Sequence, residues 1–120
     1  MIKKRPIECD LIELYALMGK KWTIPILHNI TSKPISFNEL KRISNNLISP
    51  ILLSTRLKEL VSFKIIIKRK IKGKIVYMLT QEGKGLKKLM IYLKKWAISS
   101  NYTLPKECNI KKCYCDMIFN

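Results

Sequence analysis

Ser49-Pro-Ile-Leu-Leu-Ser-Thr-Arg-Leu-Lys-Glu-Leu-Val-Ser62, followed after two residues by Ile65-Ile-Ile-Lys-Arg-Lys-Ile71 and Lys74-Ile-Val-Tyr-Met-Leu79, is the stretch that decides the fold. Serine is a preferred helix N-cap, and Pro50 suits the first helical position, where a missing N–H leaves nothing unsatisfied. Leu53, Leu57 and Leu60 recur at helical spacing, which predicts a helix over 50–62. The two runs after it are rich in β-formers and meet at Lys72-Gly73, which predicts a tight hairpin.

Upstream, Leu11, Ile12, Leu14, Tyr15 and Met18 lie three and four apart, so Glu8 to Met18 reads as an amphipathic helix that Gly19 ends. Trp22, Ile26, Leu27 and Ile30 mark a second short helix, with Pro25 tolerated in its first turn. Ser36 with Glu39 three residues on forms a capping box for a third helix through Ile43, which Ser44-Asn-Asn46 breaks. Downstream, Thr80 caps a long helix over 81–100, with Gly83 and Gly85 weakening only its first turns. The expected architecture is mainly α with a small β-hairpin wing, in the order α-α-α-α-β-β-α of a winged helix-turn-helix. Residues 1–100 are expected to form one winged helix-turn-helix domain for DNA binding and dimerisation, and 101–120 a cysteine-containing C-terminal tail. With 120 residues in all, a second catalytic domain has no room.

The charge points to a polyanion: 24 Lys+Arg against 8 Asp+Glu leave +16. From Lys64 to Lys95 the cations are Lys64, Lys68, Arg69, Lys70, Lys72, Lys74, Lys84, Lys87, Lys88, Lys94 and Lys95, against Glu82 alone. No run approaches the roughly 18–20 apolar residues of a membrane span, and no secretory signal is visible, so a cytoplasmic protein without a membrane partner is expected. Strand alternation places Ile67, Arg69 and Ile71 on one face of the ribbon and Lys68, Lys70 and Lys72 on the other, a row of cations. On the fourth helix Ile51, Thr55, Lys58 and Glu59 point away from the leucines, with Ser49, Leu52, Ser54 and Arg56 at the margins. The candidate DNA contacts are Ser49, Ile51, Ser54, Thr55, Arg56 and Lys58 on this helix. Asn38, Lys41 and Arg42 join them from the helix before, and Lys68, Arg69, Lys70, Lys72 and Lys74 from the ribbon. Arg56 leans towards the packed side, so an ion pair with Glu39 or Glu59 competes with a phosphate contact, and Ile51 and Leu52 either touch thymine methyls or pack on the third helix.

Catalysis is not expected. No Ser/His/Asp set or carboxylate pair is visible, His28 is a lone histidine on an apolar helix, and Gly83-Lys-Gly85 is too short for a phosphate loop. No cofactor is expected either. Cys108, Cys113 and Cys115 group tightly, and with Asp116, His28 or Cys9 would suit zinc; cross-subunit bridges or incidental thiols are the alternatives. Two rivals to DNA binding follow from the same features: a basic RNA-binding protein, and a zinc or thiol redox protein acting through its tail.

Cys9 ahead of the first helix, Gly19-Lys-Lys-Trp22-Thr23, Pro34-Ile-Ser-Phe37-Asn-Glu39-Leu40, Ile48-Ser49, Leu53-Ser-Thr-Arg56-Leu57-Lys-Glu59-Leu60, Val76-Tyr77-Met-Leu79-Thr80-Gln-Glu-Gly83 and Trp96 together resemble the HxlR family of MarR-like winged helix-turn-helix transcriptional regulators, in unbroken order over about residues 9–98. The resemblance implies a homodimeric repressor or activator that binds double-stranded DNA at an inverted-repeat operator and pairs through its first and last helices. Leu11, Ile12 and Tyr15 would then meet Leu86, Leu89, Met90, Leu93 and Trp96, a stripe too long for one small domain to cover. It also implies a thiol sensor in which Cys9 reacts, sometimes with a C-terminal cysteine of the other subunit; the alternative is a small packing residue at the interface. The family usually has a second glycine at Lys20, Arg at Ser36, Gly at Lys64 and a longer wing than Lys72-Gly73 allows. These departures imply backbone contact by the wing and a different end to the recognition helix.

Overall fold

The computed structural model describes residues 9–45 and 47–104. Its elements are α1 (Asp10–Met18), α2 (Thr23–His28), β1 (Ile35–Ser36), α3 (Phe37–Ile43), α4 (Pro50–Ser62), β2 (Ile66–Ile71), β3 (Lys74–Leu79) and α5 (Gln81–Ser99). Cys108, Cys113 and Cys115 lie outside the described residues.

The starts of α3, α4 and α5 follow the side chains that cap them. Ser36 Oγ accepts from the Glu39 N–H at 3.1 Å while the Glu39 carboxylate accepts from the Ser36 N–H at 3.3 Å, the reciprocal pair expected for α3. Ser49 Oγ accepts from Leu52 N–H at 3.1 Å, and Thr80 Oγ1 from Gly83 N–H at 3.0 Å. The core gathers Ile26, Leu27 and Ile30 behind α2, Leu40 of α3, Ile48, and Leu53, Leu57 and Leu60 of α4 against Ile66 of β2. Leu17 and the half-buried Leu14 and Met18 bring α1 onto this core.

Strand β1 is absent from the sequence-based reading because two residues carry no period. It pairs antiparallel with β3, Ile35 opposite Tyr77 and Ser36 opposite Val76, so the sheet order is β1-β3-β2. Ser36 thus closes the sheet and opens α3. Val76 and Tyr77 are buried where three strands overlap, whereas their β2 partners Arg69 and Lys68 are exposed, as is the part of the ribbon from Lys70 to Ile75 that runs past β1.

The strand register keeps Lys68 and Lys70 on one face and Arg69 and Ile71 on the other, adds Lys74 of β3 to the Arg69 face, and moves Lys72 out of the row into the turn. Lys68 stands opposite Tyr77 and Lys70 opposite Ile75, while Arg69 stands opposite Val76 and Ile71 opposite Lys74. Cross-strand partners share a face, so both faces carry cations. Lys72 (φ 49°) and Gly73 (φ 80°) turn the ribbon, both left-handed as a two-residue type I′ loop demands.

The end of α4 is also a correction. Lys64 adopts φ 62°, its N–H donates to Val61 O at 2.9 Å, and the Ile65 N–H donates to Leu60 O at 3.1 Å. This is the Schellman pattern that glycine usually serves, kept here by a lysine because Ile65 and Leu60 are both buried beneath it. The second short helix begins at Thr23 rather than Trp22, since Trp22 is the left-handed residue (φ 77°) that turns the chain out of α1; Gly19 is right-handed. Gly83 does more than weaken a helix start. A Cβ there would meet Ile65 O at 2.1 Å, so only glycine lets α5 seat against the start of the ribbon, where the Thr80 N–H donates to Ile65 O at 3.1 Å.

Three substitutions separate these backbone effects in urea unfolding. Lys64→Gly is expected to stabilise by roughly 0.5–1 kcal/mol, the left-handed penalty less the entropy glycine adds to the unfolded chain. Gly85→Ala, at an exposed helical site with nothing within 4 Å, gains about 1 kcal/mol. Gly83→Ala loses about 3 kcal/mol by overpacking against backbone. Equal effects at Gly83 and Gly85 would contradict the close approach.

Candidate nucleic-acid interface

The two sides of α4 are separated by its leucines. Leu53, Leu57 and Leu60 are fully buried, which directs Ile51, Thr55 and Lys58 to the opposite side at spacings of four and three. Ile51 is 81% exposed. Thr55 Oγ1 donates back to Ile51 O at 2.9 Å, which leaves its lone pairs and methyl outward. Ser49 is exposed, and because its oxygen accepts from Leu52 N–H its own hydroxyl proton remains available. Ser54 and Leu52 are half-buried, and Leu52 packs on the core.

Arg56 lies elsewhere than the outward row. Its Nε donates to Lys21 O at 3.0 Å and its guanidinium pairs with Glu59 at 2.9 Å, leaving the side chain 13% exposed. Glu59 also receives Lys20 Nζ, so Lys20 and Lys21 of the α1–α2 turn are strapped to the flank of α4. Of the two partners raised for Arg56, the carboxylate is Glu59; Glu39 is held in its capping box. Partial burial alone would push the Glu59 carboxyl up, but hydrogen bonds from Lys20 and Arg56, reinforced by their charges, hold it below its ordinary value.

On α3, Asn38 and Arg42 are exposed and Lys41 is half-buried, with Lys41 and Arg42 in the last turn where cations complement the helix dipole. On the ribbon Lys68, Arg69, Lys70, Lys72 and Lys74 are all exposed. Lys87 is committed differently: its ammonium donates to His28 O at 3.2 Å and Ile30 O at 2.6 Å, tying α5 to the end of α2.

The apolar stripe of α5 also separates into two sets. Leu86 and Met90, read with the dimerisation residues, pack instead on the protomer's own core, because Gly83 and Lys87 seat that side of the helix inward. Leu89, Leu93 and Trp96 are exposed, joined by Tyr92 and by Tyr102, whose ring lies 5.3 Å from that of Trp96. On α1, Leu11, Ile12 and Tyr15 are exposed. Cys9 is a half-buried free thiol at the N-cap of α1, and it makes no side-chain cap bond. Among the described residues no group of three or more His, Cys, Asp or Glu is placed to hold a metal ion, and no helix is long and apolar enough to cross a membrane.

Two short helices at the core, the second presenting an unburied face, followed directly by an exposed basic ribbon, define a winged helix-turn-helix protein. Residues 17–104 match the HxlR-like helix-turn-helix family model, and the chain belongs to that family of DNA-binding transcriptional regulators. It is 30% identical over 98 residues to the MalR protein of Fusobacterium mortiferum, covering 78% of this chain and 92% of that one. It is likewise 30% identical over 86 residues to the HTH-type transcriptional regulator YodB of Bacillus subtilis strain 168, covering 69% and 76%. The crystal structure of quinone-bound YodB superposes with a TM-score of 0.66 at 27% identity, over 78% of this chain and 99% of that one.

Because the Glu59 value is depressed in the folded state, its stabilisation is fully present above about pH 4.5 and is lost as pH falls through the folded value. Denaturation of the wild type and Glu59→Gln from pH 7 to pH 3 is expected to show the largest gap at neutral pH and convergence in acid. A gap that widens on acidification would contradict the strap.

Proposed function

We propose that the protein acts as a homodimer on an inverted-repeat duplex, with α4 in the major groove and the β2–β3 ribbon along the flanking phosphates. The observation that carries this reading is the exposure of the whole ribbon from Lys68 to Lys74, in a hairpin that begins three residues after a helix with one face buried and the other exposed. Lys68, Arg69, Lys70, Lys72 and Lys74 supply affinity without sequence preference, with Arg42, Lys41 and Asn38 of α3 on the backbone beside the groove. Ser49, Ile51, Ser54, Thr55 and Lys58 face the groove, and Arg56 holds the helix in place. The exposed Leu89, Tyr92, Leu93 and Trp96, together with Leu11, Ile12 and Tyr15, form the surface between protomers. The protein regulates by occupancy of its operator and has no catalytic role.

Cys9 is the sensing residue in this reading. Relatives are known as a quinone-bound YodB and an oxidised redox regulator, HypR. A thiol adds to a quinone by forming one C–S bond while its proton ends on a ring oxygen, which needs no second cysteine. Asp10, next to Cys9, lines a groove of about 640 Å³ with Leu14, Ser62, Phe63 and Lys64, so an adduct on Cys9 forms beside the contact between α1 and the end of α4. The Lys20–Glu59 strap joins the same two regions.

Duplexes selected from a random pool test both parts. A palindromic consensus is expected, with affinity falling steeply in log–log salt plots. Lys68→Gln and Lys70→Gln are each expected to reduce the magnitude of that slope by about 1. A salt-insensitive complex would overturn the ribbon's role. Benzoquinone is expected to release wild-type protein from the duplex but not Cys9→Ser, and equal release of both would remove Cys9 from sensing.

A further inference from the structure

Beyond the hydroxyl of its N-cap Ser49, the first turn of α4 offers its partner hydrocarbon. Ile51 is 81% exposed, and Leu47, just before the helix, is 54% exposed. The hydroxyl proton of Thr55 is committed to Ile51 O, and Arg56 to Lys21 O and Glu59. Lys58 stands seven residues beyond Ile51, about 10 Å along the helix, and is a point charge rather than a fork. The two-donor reading of guanine by arginine is therefore closed to this helix, whose only arginine is Arg56. The exposed isoleucine in the N-terminal turn is thus an apolar side chain on a helix whose arginine is already committed.

Base edges in the major groove present one apolar feature, the 5-methyl of thymine. We propose that Ile51 is a specificity-determining residue that selects thymine by packing on this methyl, with Leu47 and the Thr55 methyl closing the contact. The inference rests on the placement of α4 in the major groove given above. Phosphate contacts then set affinity, and a small apolar patch sets the base preference at the centre of each half-site. Leu53, Leu57 and Leu60 hold the helix from behind, so Ile51 is presented on a rigid element.

The test uses the full chain and the preferred duplex selected from a random pool, replacing each thymine singly by deoxyuridine and reading fluorescence anisotropy at one fixed salt concentration. At one or two thymines per half-site, wild-type affinity is expected to fall about fourfold, the factor supplied by burying one methyl-sized group. Ile51→Ala is expected to lose this discrimination and keep the salt slope, and Ile51→Val to retain most of it. At an exposed position these changes leave folding intact, which circular dichroism verifies. Sequence-selective binding that tolerates deoxyuridine everywhere would overturn the methyl contact while leaving the regulator reading in place. Failure to select any preferred duplex would overturn the regulator reading, and this inference with it.

Discussion

The burial of Leu53, Leu57 and Leu60 against the β2 end of the core is the constraint on which the rest depends. It orients α4 about its own axis: with three leucines fully buried, Ile51, Thr55 and Lys58 have no direction left but outward. Hydrophobic burial alone sets rotation loosely, because it is non-directional. The remaining definition comes from the flank, where Arg56 and Glu59 tie the helix to Lys20 and Lys21. A partly buried carboxylate with two cationic partners is a directional restraint, and it links α4 with the turn leaving α1.

A second group of features holds the ribbon to this helix. Lys64 accepts a left-handed backbone so that α4 can close and β2 can begin within two residues. The Ile65 carbonyl then receives the Thr80 N–H while the missing Cβ of Gly83 makes room for it. Helix end, ribbon start and α5 start therefore meet at one backbone group. Strand β1 adds the third side, covering Val76 and Tyr77 and no more, which is why the cationic part of the ribbon extends free of the core.

This arrangement divides the functions of the side chains. The ribbon cations have no acidic neighbour across the strands and so present net positive charge, which in the proposed function supplies affinity that is blind to sequence. Helix α4, the recognition helix of the proposed function, contributes little charge and an exposed Ile51 beside the Ser49 hydroxyl. Two cations that sequence position alone would assign to the partner are committed within the fold: Arg56 to Glu59 and Lys87 to the carbonyls closing α2.

Most of the architecture was legible in the sequence because its signals are local. The Ser36–Glu39 box, Ser49-Pro50, Thr80 and the leucine spacing of α4 each act within a few residues, where backbone geometry converts spacing directly into a helix start or a buried face. The net charge and its concentration after Lys64 pointed to a polyanion for the same reason, since composition needs no contacts to be read. The tertiary structure decided what depends on distant residues meeting: strand β1, the inward turn of Leu86 and Met90, the addition of Lys74 to the Arg69 face of the ribbon, and the commitment of Arg56. Register, close approach and ion pairing are properties of two chain segments at once, so neither segment's own pattern contains them.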